Sequence, residues 1–324
     1  MESFGYTIGE KLGEGTTADV FLAKDPEGYP VVVKIFRTFS SAITRELYIL
    51  KYIRDKLNQG ELPIKISPTF IGSDKISNKI IVITDYFPSK ELYKIKERFS
   101  NAERVRCAFN VIYAVYLLHK IGIVHRDIKC ENIICDPIDQ SIRLIDFDTS
   151  CTVESIAKYN DEYDFTKCMP GIVGTHGFIC PELYGGSNLM EGNPERGFKM
   201  LEKCDVFSLG TTIHEILTDG ELFDIDEIRL NYKNEMDENR TRRNISKKLG
   251  RFNPMWKELI ISCTEENPRN RPTSEQVYNI ASSLYLSRES NVDEISDSES
   301  ADDSSDYNYE PELYMSDEQD SDSD

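Results

Sequence analysis

The chain has no apolar run close to the roughly 18 residues that a membrane-spanning helix needs. Its longest such stretches are short, as at Ile80–Ile83. The opening Met1-Glu2-Ser3 lacks the basic and apolar regions of a signal peptide. Residue 2 is Glu2, not the glycine that myristoylation requires, and the acidic C-terminus has no cysteine to prenylate. Basic residues are the minority, 38 Lys and Arg against 57 Asp and Glu, for a net charge of −19. Phosphate backbones demand a basic footprint, so a nucleic-acid partner is not expected, and neither is a membrane. The eight cysteines include no C-x-x-C pair. A chain of 324 residues builds an adequate core without disulfides, so all eight are expected as free thiols in a reducing, intracellular setting, cytoplasm or nucleus. The histidines His119, His125, His176 and His214 lack ligand spacing, and no zinc site is expected.

What is present is an uneven distribution of charge. Residues 289–324 carry 15 acidic groups and no basic one. The 288 residues before them hold 42 acidic and 38 basic groups, close to balance. The tail 287–324 is rich in Asp, Glu and Ser and cannot bury enough apolar area to offset its ordering entropy, so disorder is expected there. It serves as a solubilising segment, a substrate for acid-directed kinases, or an arm that docks a basic protein partner.

Upstream, Tyr6–Leu12, Val20–Ala23 and Val31–Phe36 read as strands broken by turn signals. Ile43, Leu47, Leu50, Ile53 and Leu57 recur at helical steps, and Asn58-Gln59-Gly60 ends that helix. Ile80–Ile83 is a further strand, so residues 1–87 form a strand-rich lobe with one prominent helix. Residues 88–286 are mainly helical. Ser100-x-x-Glu103 is a capping box that opens a helix with Val105, Ala108, Ile112, Val115 and Leu118 on one face. Residues 148–204 read as loop-rich, and Val206–Leu217, Met255–Cys263 and Val277–Leu286 as helices.

Four pieces carry chemistry. Gly13-Glu14-Gly15-Thr16-Thr17-Ala18-Asp19-Val20 lies between strands, where glycines let a backbone approach phosphate oxygens; a plain hairpin turn is the simpler reading of that piece alone. Lys34 stands in the otherwise apolar strand Val31–Phe36, either pointing to water from a sheet edge or paired with Glu46 on the next helix. His125-Arg126-Asp127-Ile128-Lys129-Cys130-Glu131-Asn132 is a dense charged loop between apolar strands. Arg143-Leu144-Ile145-Asp146-Phe147-Asp148 ends an apolar strand on an acid. Asp127, Asn132 and Asp146 together offer a base and two hard oxygen ligands of the kind that suit Mg2+.

In that order and spacing, these pieces resemble the eukaryotic protein kinases of the Ser/Thr type over residues 6–286. Gly174-Thr175, Cys180-Pro181-Glu182, Asp205–Gly210 and Arg271 extend the likeness. The resemblance implies an α+β, two-lobed fold: a small antiparallel β lobe with one helix and a large, mainly helical lobe. It implies transfer of the γ-phosphoryl group of ATP to protein Ser/Thr hydroxyls, with ATP and Mg2+ as cofactors. Leu12, Gly13, Glu14, Gly15, Thr16, Thr17, Ala18, Val20, Val32, Lys34, Thr84, Asp85 and Ile134 would surround the nucleotide. Lys34 would pair with Glu46, Asp127 would act as base, Lys129 would steady the γ-phosphate, and Asn132 and Asp146 would hold the metal. Leu50, His125 and Phe147 would join the lobes as spine residues.

The chain departs from the family at Asp148, where glycine is usual, and at Ala18, Cys180 and Phe207. Asp148 is expected to restrict this segment's flip, since the position often needs a permissive backbone. Arg126 before Asp127 goes with control by activation-segment phosphorylation; Thr149, Ser150, Thr152, Ser155, Tyr159, Tyr163 and Thr166 supply hydroxyls, and Asp161, Glu162 and Asp164 supply unmodified acids as the alternative partners. Glu131 suggests a basic residue near the target hydroxyl. The rival readings are a pseudokinase scaffold, or a small-molecule kinase of similar fold.

Overall fold

The computed structural model describes residues 5–15, 17–76, 79–158, 164, 167–168, 171–184, 193–223, 249, 252 and 254–292, the last six by their backbone. The expected acidic tail falls almost wholly outside the described residues.

Strands β1 (Thr7–Glu14), β2 (Ala18–Lys24), β3 (Pro30–Phe36), β4 (Phe70–Ile76) and β5 (Lys79–Asp85) form one antiparallel sheet in the order β1-β2-β3-β5-β4. The sheet places β3 in the middle, so the edge-strand reading of Lys34 is excluded. Alternation along β3 sends Val31, Val33 and Ile35 to one face, where they pack with Ala23, Ile81 and Ile83. Lys34 emerges on the opposite face, in register with Val20 on one side and Val82 on the other. The helix α1 (Ser41–Asn58) covers that face with Ile43, Ile49, Leu50 and Ile53, all buried. β4 carried little alternation in sequence, because its residues Ile71, Ser73, Asp74 and Lys75 are partly or fully exposed.

Short elements lead into the helical part: β6 (Lys90–Glu91) and α2 (Leu92–Ile95). The helix α3 (Asn101–Lys120) follows. Its capping box is formed on both sides: Ser100 accepts from the Glu103 amide, and the Glu103 side chain accepts from the Ser100 amide. Such a cap contributes about 1 kcal/mol. Then come β7 (Ile123–Val124), β8 (Ile133–Cys135), β9 (Ile142–Leu144), β10 (Cys151–Thr152), and the helices α4 (Val153–Ala157) and α5 (Pro181–Tyr184). β6, β8 and β9 make a three-stranded sheet, and β10 pairs with β7.

The long helix α6 (Pro194–Thr218) starts well before Val206, where the apolar periodicity alone placed it. Its start is polar: Asn193 caps it by accepting from the Glu195 and Arg196 amides, and Pro194 fills the first turn. Helices α7 (Pro254–Cys263) and α8 (Ser274–Val292) follow among the described residues. One core cluster runs from Phe36, Leu50 and Val82 through α3 and Phe147 to α6, α7 and α8. No helix among the described residues is long and apolar enough to cross a membrane.

The expectation of eight free thiols is corrected. Cys151 and Cys168 are joined by a disulfide, with Cα atoms 5.2 Å apart, while Cys107, Cys130, Cys135, Cys180, Cys204 and Cys263 are free and buried. A core of this size needs no bridge, and the spacing of the two cysteines does not reveal that β10 and the segment after α4 bring their sulfurs together.

Helices α6 and α7 approach each other closely at Gly210. A Cβ there would lie 2.6 Å from Cys263 Cβ and 3.0 Å from Thr264 Cγ2. Gly210→Ala should therefore lower stability by about 1–3 kcal/mol through overpacking between α6 and α7. Chemical denaturation compared with wild type measures it; an unchanged midpoint would mean the helices separate freely.

Candidate active site

The site begins with a buried carboxylate. Asp205 on α6 has no exposed surface. Its Oδ2 accepts from the His125 amide and its Oδ1 from the Arg126 amide, both at 2.7 Å. His119 Nε2 lies 2.9 Å from Oδ2, and His119 Nδ1 lies 2.9 Å from Ser274 Oγ. With the proton on Nε2, His119 donates to Asp205 and accepts from Ser274. Three donors thus satisfy one buried charge, as a desolvated carboxylate requires. The arrangement holds the loop 125–132 to the helical core.

Arg126 itself has φ of 71°, in the left-handed region that non-glycine residues seldom adopt. Asp146 does the same, with φ of 67°. Non-glycine residues held there concentrate at functional sites, where the surroundings over-determine the backbone. Asp148 is not among the residues with positive φ. The glycine usual at that position is therefore not demanded by the backbone in this conformation.

The loop presents Asp127 in a fixed setting. Asn132 Nδ2 donates to the Asp127 carbonyl at 2.9 Å and to Oδ2 at 2.7 Å. Thr175 Oγ1 donates to Oδ1 at 2.8 Å, and Lys129 Nζ donates to Thr175 Oγ1 at 2.6 Å. Lys129 Nζ also lies 3.3 Å from Oδ2. Gly174, beside Thr175, has φ of 112°, and a Cβ there would sit 2.9 Å from the Arg126 carbonyl oxygen. Only glycine allows this approach. The role of Thr175 as a support of Asp127 had no separate signal in sequence.

In the five-stranded sheet, Lys34 Nζ lies 2.7 and 2.9 Å from the two Glu46 oxygens. Burial opposes the Lys34 charge, but Glu46 and Asp146 more than offset it and hold its pKa above the usual lysine value. Burial pushes the Glu46 carboxyl up against the opposing pull of Lys34. With both oxygens within hydrogen-bond distance of Nζ, we take the pair as ionised. Arg45, next in sequence to Glu46 and buried, donates from Nε to the Asp148 carbonyl at 2.8 Å. It ties α1 to the segment after Asp146, a role no sequence pattern announced.

The remaining expected nucleotide residues fall on neighbouring strands. Val32 pairs with Thr84, which is buried, and Val20 pairs with Lys34. Ile134 lies on β8 opposite Glu91 and Arg143. Leu12, Gly13 and Glu14 end β1; the Gly15 amide donates to the Ala18 carbonyl at 2.9 Å, and Thr17 is exposed. Thr16 lies outside the described residues. Glu14 pairs with Lys11 and Arg37, and Asp85 with Lys65, so these side chains serve the lobe's surface. His125 and Phe147 rings are 5.0 Å apart, and Phe147 and Leu50 share the main core.

The metal-binding expectation is consistent with the donors. Because Asn132 spends Nδ2 on Asp127, its Oδ1 remains for a cation. No hydrogen bond of the Asp146 side chain is present among the described residues. A second cluster, Cys180, Glu182 and Cys204, places ligand atoms within 4.8 Å of one another. Both Glu182 oxygens are taken by Arg271 at 2.6 and 2.8 Å, so this cluster is an ion pair fixing α5 to the segment before α8.

Several activation-segment hydroxyls already have partners. Thr149 and Ser150 donate to the His125 carbonyl, and Thr152 and Ser155 cap α4 reciprocally. Tyr159, Tyr163, Thr166, Asp161 and Glu162 lie outside the described residues. Asp164 pairs with Lys158 at 3.2 Å.

The Asp148 carboxyl is pushed up to about 6, first by burial and then by Asp146 and Glu46. A carboxyl raised on folding stabilises fully below its ordinary value, here 3.8, and that contribution is lost as pH rises through about 6. Without added metal, Asp148→Asn should be more stable than wild type at pH 7.5 by on the order of 2 kcal/mol, with the gap closing below pH 4. Thermal denaturation across pH reads this directly. A pH-independent difference would assign the effect to something other than ionisation.

Comparison with known proteins agrees with the geometry. Residues 6–281 match the protein kinase domain. The chain is 24% identical to the serine/threonine-protein kinase pkn3 of Myxococcus xanthus, covering 85% of this chain and 49% of that protein. It is 27% identical to CBL-interacting serine/threonine-protein kinase 3 of Arabidopsis thaliana, covering 84% and 57%. It is 28% identical to an Aurora kinase of Schizosaccharomyces pombe, covering 84% and 69%. The chain thus spans about half the length of the first two of these relatives. The two-lobed fold, the paired Lys34 and Glu46, and the match over residues 6–281 lead to one conclusion: this chain belongs to the protein kinase family.

Proposed function

We propose that the protein is a serine/threonine kinase that transfers the γ-phosphoryl group of ATP to hydroxyls of protein substrates. The observation that carries this reading is the simultaneous presence of the Lys34–Glu46 pair and the Asp127–Asn132–Thr175–Lys129 network. Lys34, kept charged by Glu46, would bind the α- and β-phosphates. Asn132 Oδ1 and the Asp146 carboxylate would hold Mg2+, which supplies charge neutralisation at the transferred group.

Asp127 orients the substrate hydroxyl and receives its proton on a carboxylate oxygen. Thr175 and Asn132 fix that carboxylate from opposite oxygens, so little reorganisation is needed when the hydroxyl arrives. Lys129, already beside Thr175 and Asp127, is placed to meet negative charge that develops on the phosphoryl group. The lysine at this position, as in the Ser/Thr-type resemblance, supports alcohol rather than phenol substrates. The tail 287–324 would serve a basic protein partner or an acid-directed kinase.

Incubation with labelled ATP, Mg2+ and a Ser/Thr peptide library should give phosphoserine or phosphothreonine. Asp127→Asn should lower kcat by about 10²–10⁴-fold with the ATP KM little changed. Absence of transfer by wild type, with nucleotide still bound, would leave the scaffold reading in its place.

A further inference from the structure

The Cys151–Cys168 bridge is the feature that the kinase reading does not use. We propose that this pair is a redox modification site: a dithiol reductant opens it, a hydroperoxide closes it, and the closed bridge holds the activation segment against the Arg126 guanidinium. The link to catalysis, though not the chemistry of the bridge, rests on the kinase reading above.

The position is specific. Cys151 lies in β10, in register with Val124 of β7, one residue before His125. Cys168 is fixed by its amide, which donates to the Ser155 carbonyl at 2.9 Å. Both cysteines are fully buried with Val124, Ile156, Phe198 and Leu201. Arg126 Nη1 donates to both sulfurs, at 3.4 Å to Cys151 and 3.3 Å to Cys168. It also reaches the Thr149 carbonyl, and Nη2 reaches the Gly171 carbonyl.

The six other cysteines are equally buried, but among the described residues none of their sulfurs accepts a hydrogen bond from a cationic side chain. Among them, burial pushes Cys263 up to about 12 and raises Cys130 and Cys204 well above the usual thiol value. A hydrogen bond with Cys135, together with burial, does the same for Cys107. Thiols held neutral are poor nucleophiles. A guanidinium beside sulfur favours the thiolate, and its charge acts more strongly in a buried setting. The same Arg126 whose amide donates to Asp205 therefore sits where its guanidinium would activate either sulfur of the opened pair.

The chemistry balances. One thiolate attacks the terminal oxygen of a hydroperoxide, forming a sulfenic acid and releasing an alkoxide that takes up a proton. The second thiolate attacks that sulfur, forming the S–S bond and expelling hydroxide, which leaves as water with one proton. Two electrons pass from the cysteine pair to the peroxide. In reverse, a dithiol attacks the bridge through a mixed disulfide, closes its own ring, and leaves two thiols on the protein. Because both sulfurs are buried, reagents reach them through local opening of the segment.

The bridge closes a loop with a sequence separation of 17. That loop lies between Asp146–Asp148 and Gly174–Thr175, and Thr175 supports Asp127. Opening it releases the covalent constraint on the stretch that fixes the peptide side of the site. The nucleotide side, built on β3 and α1, keeps its own pair.

The experiment uses the full chain, prepared with excess dithiothreitol, desalted under argon, and divided. One half receives one equivalent of hydrogen peroxide. Alkylation and peptide mass spectrometry read the thiols, limited proteolysis reads the segment, and kcat/KM is measured for peptide and for ATP. We expect a Cys151–Cys168 cross-linked peptide after peroxide, with the other six cysteines alkylated on unfolding. The reduced form should be cut faster between residues 152 and 172, and its kcat/KM for peptide should be lower by about tenfold, with that for ATP unchanged. Cys151→Ser with Cys168→Ser should behave as the reduced form under both conditions. Failure of the cross-link to form, or identical proteolysis in the two states, overturns the proposal. Should neither state transfer phosphate while cross-link and proteolysis respond as expected, the redox site stands and the kinase reading alone falls.

Discussion

The structure depends on one buried carboxylate. Asp205 has no contact with water, and its charge is balanced by two backbone amides and one imidazole. A desolvated charge left with a missing donor is strongly destabilising, so this arrangement admits few alternatives. It fixes the start of the loop 125–132, where Arg126 has a left-handed backbone and Asp127 follows.

A second constraint acts from the other side. Lys34 lies in the middle of the five-stranded sheet, where its ammonium must be paired to be tolerated. Glu46 supplies the pair, and Arg45 beside it reaches the Asp148 carbonyl. The helix α1 is thereby linked to both the sheet and the segment that follows Asp146. The two constraints meet at Phe147, which packs against His125 and lies in the same core as Leu50. Charge pairing and apolar packing thus specify the same relative position of the sheet, α1 and the loop 125–132.

Much of this was legible in sequence, for definable reasons. The strands β1–β3 and the helix α1 follow from clear periodicity, and Ser100 and Glu103 announce the start of α3 by their chemistry. Lys34 stood out because a lone ammonium in an apolar strand demands a partner. β4 escaped because its outward residues carry no alternation, and the first turns of α6 escaped because they are polar. Contacts between distant segments were the hardest to read. Nothing in the spacing of Cys151 and Cys168 distinguishes a bridge from two separate thiols. Arg45 and Asp205 acquire their roles only when helices from different parts of the chain pack together. The substitution of Asp148 for glycine suggested a strained backbone, yet the left-handed residue is Asp146 instead.

Asp205 holds the loop 125–132 to the helical core. Asp205→Asn replaces one acceptor with a donor that faces a backbone N–H, leaving size and shape nearly unchanged. Amide hydrogen exchange of the segment 122–132, compared with β3 and β5, is the direct measurement. His125 and Arg126 should lose protection in the variant while the sheet exchanges as in wild type. Full protection of those two amides in Asp205→Asn would contradict it.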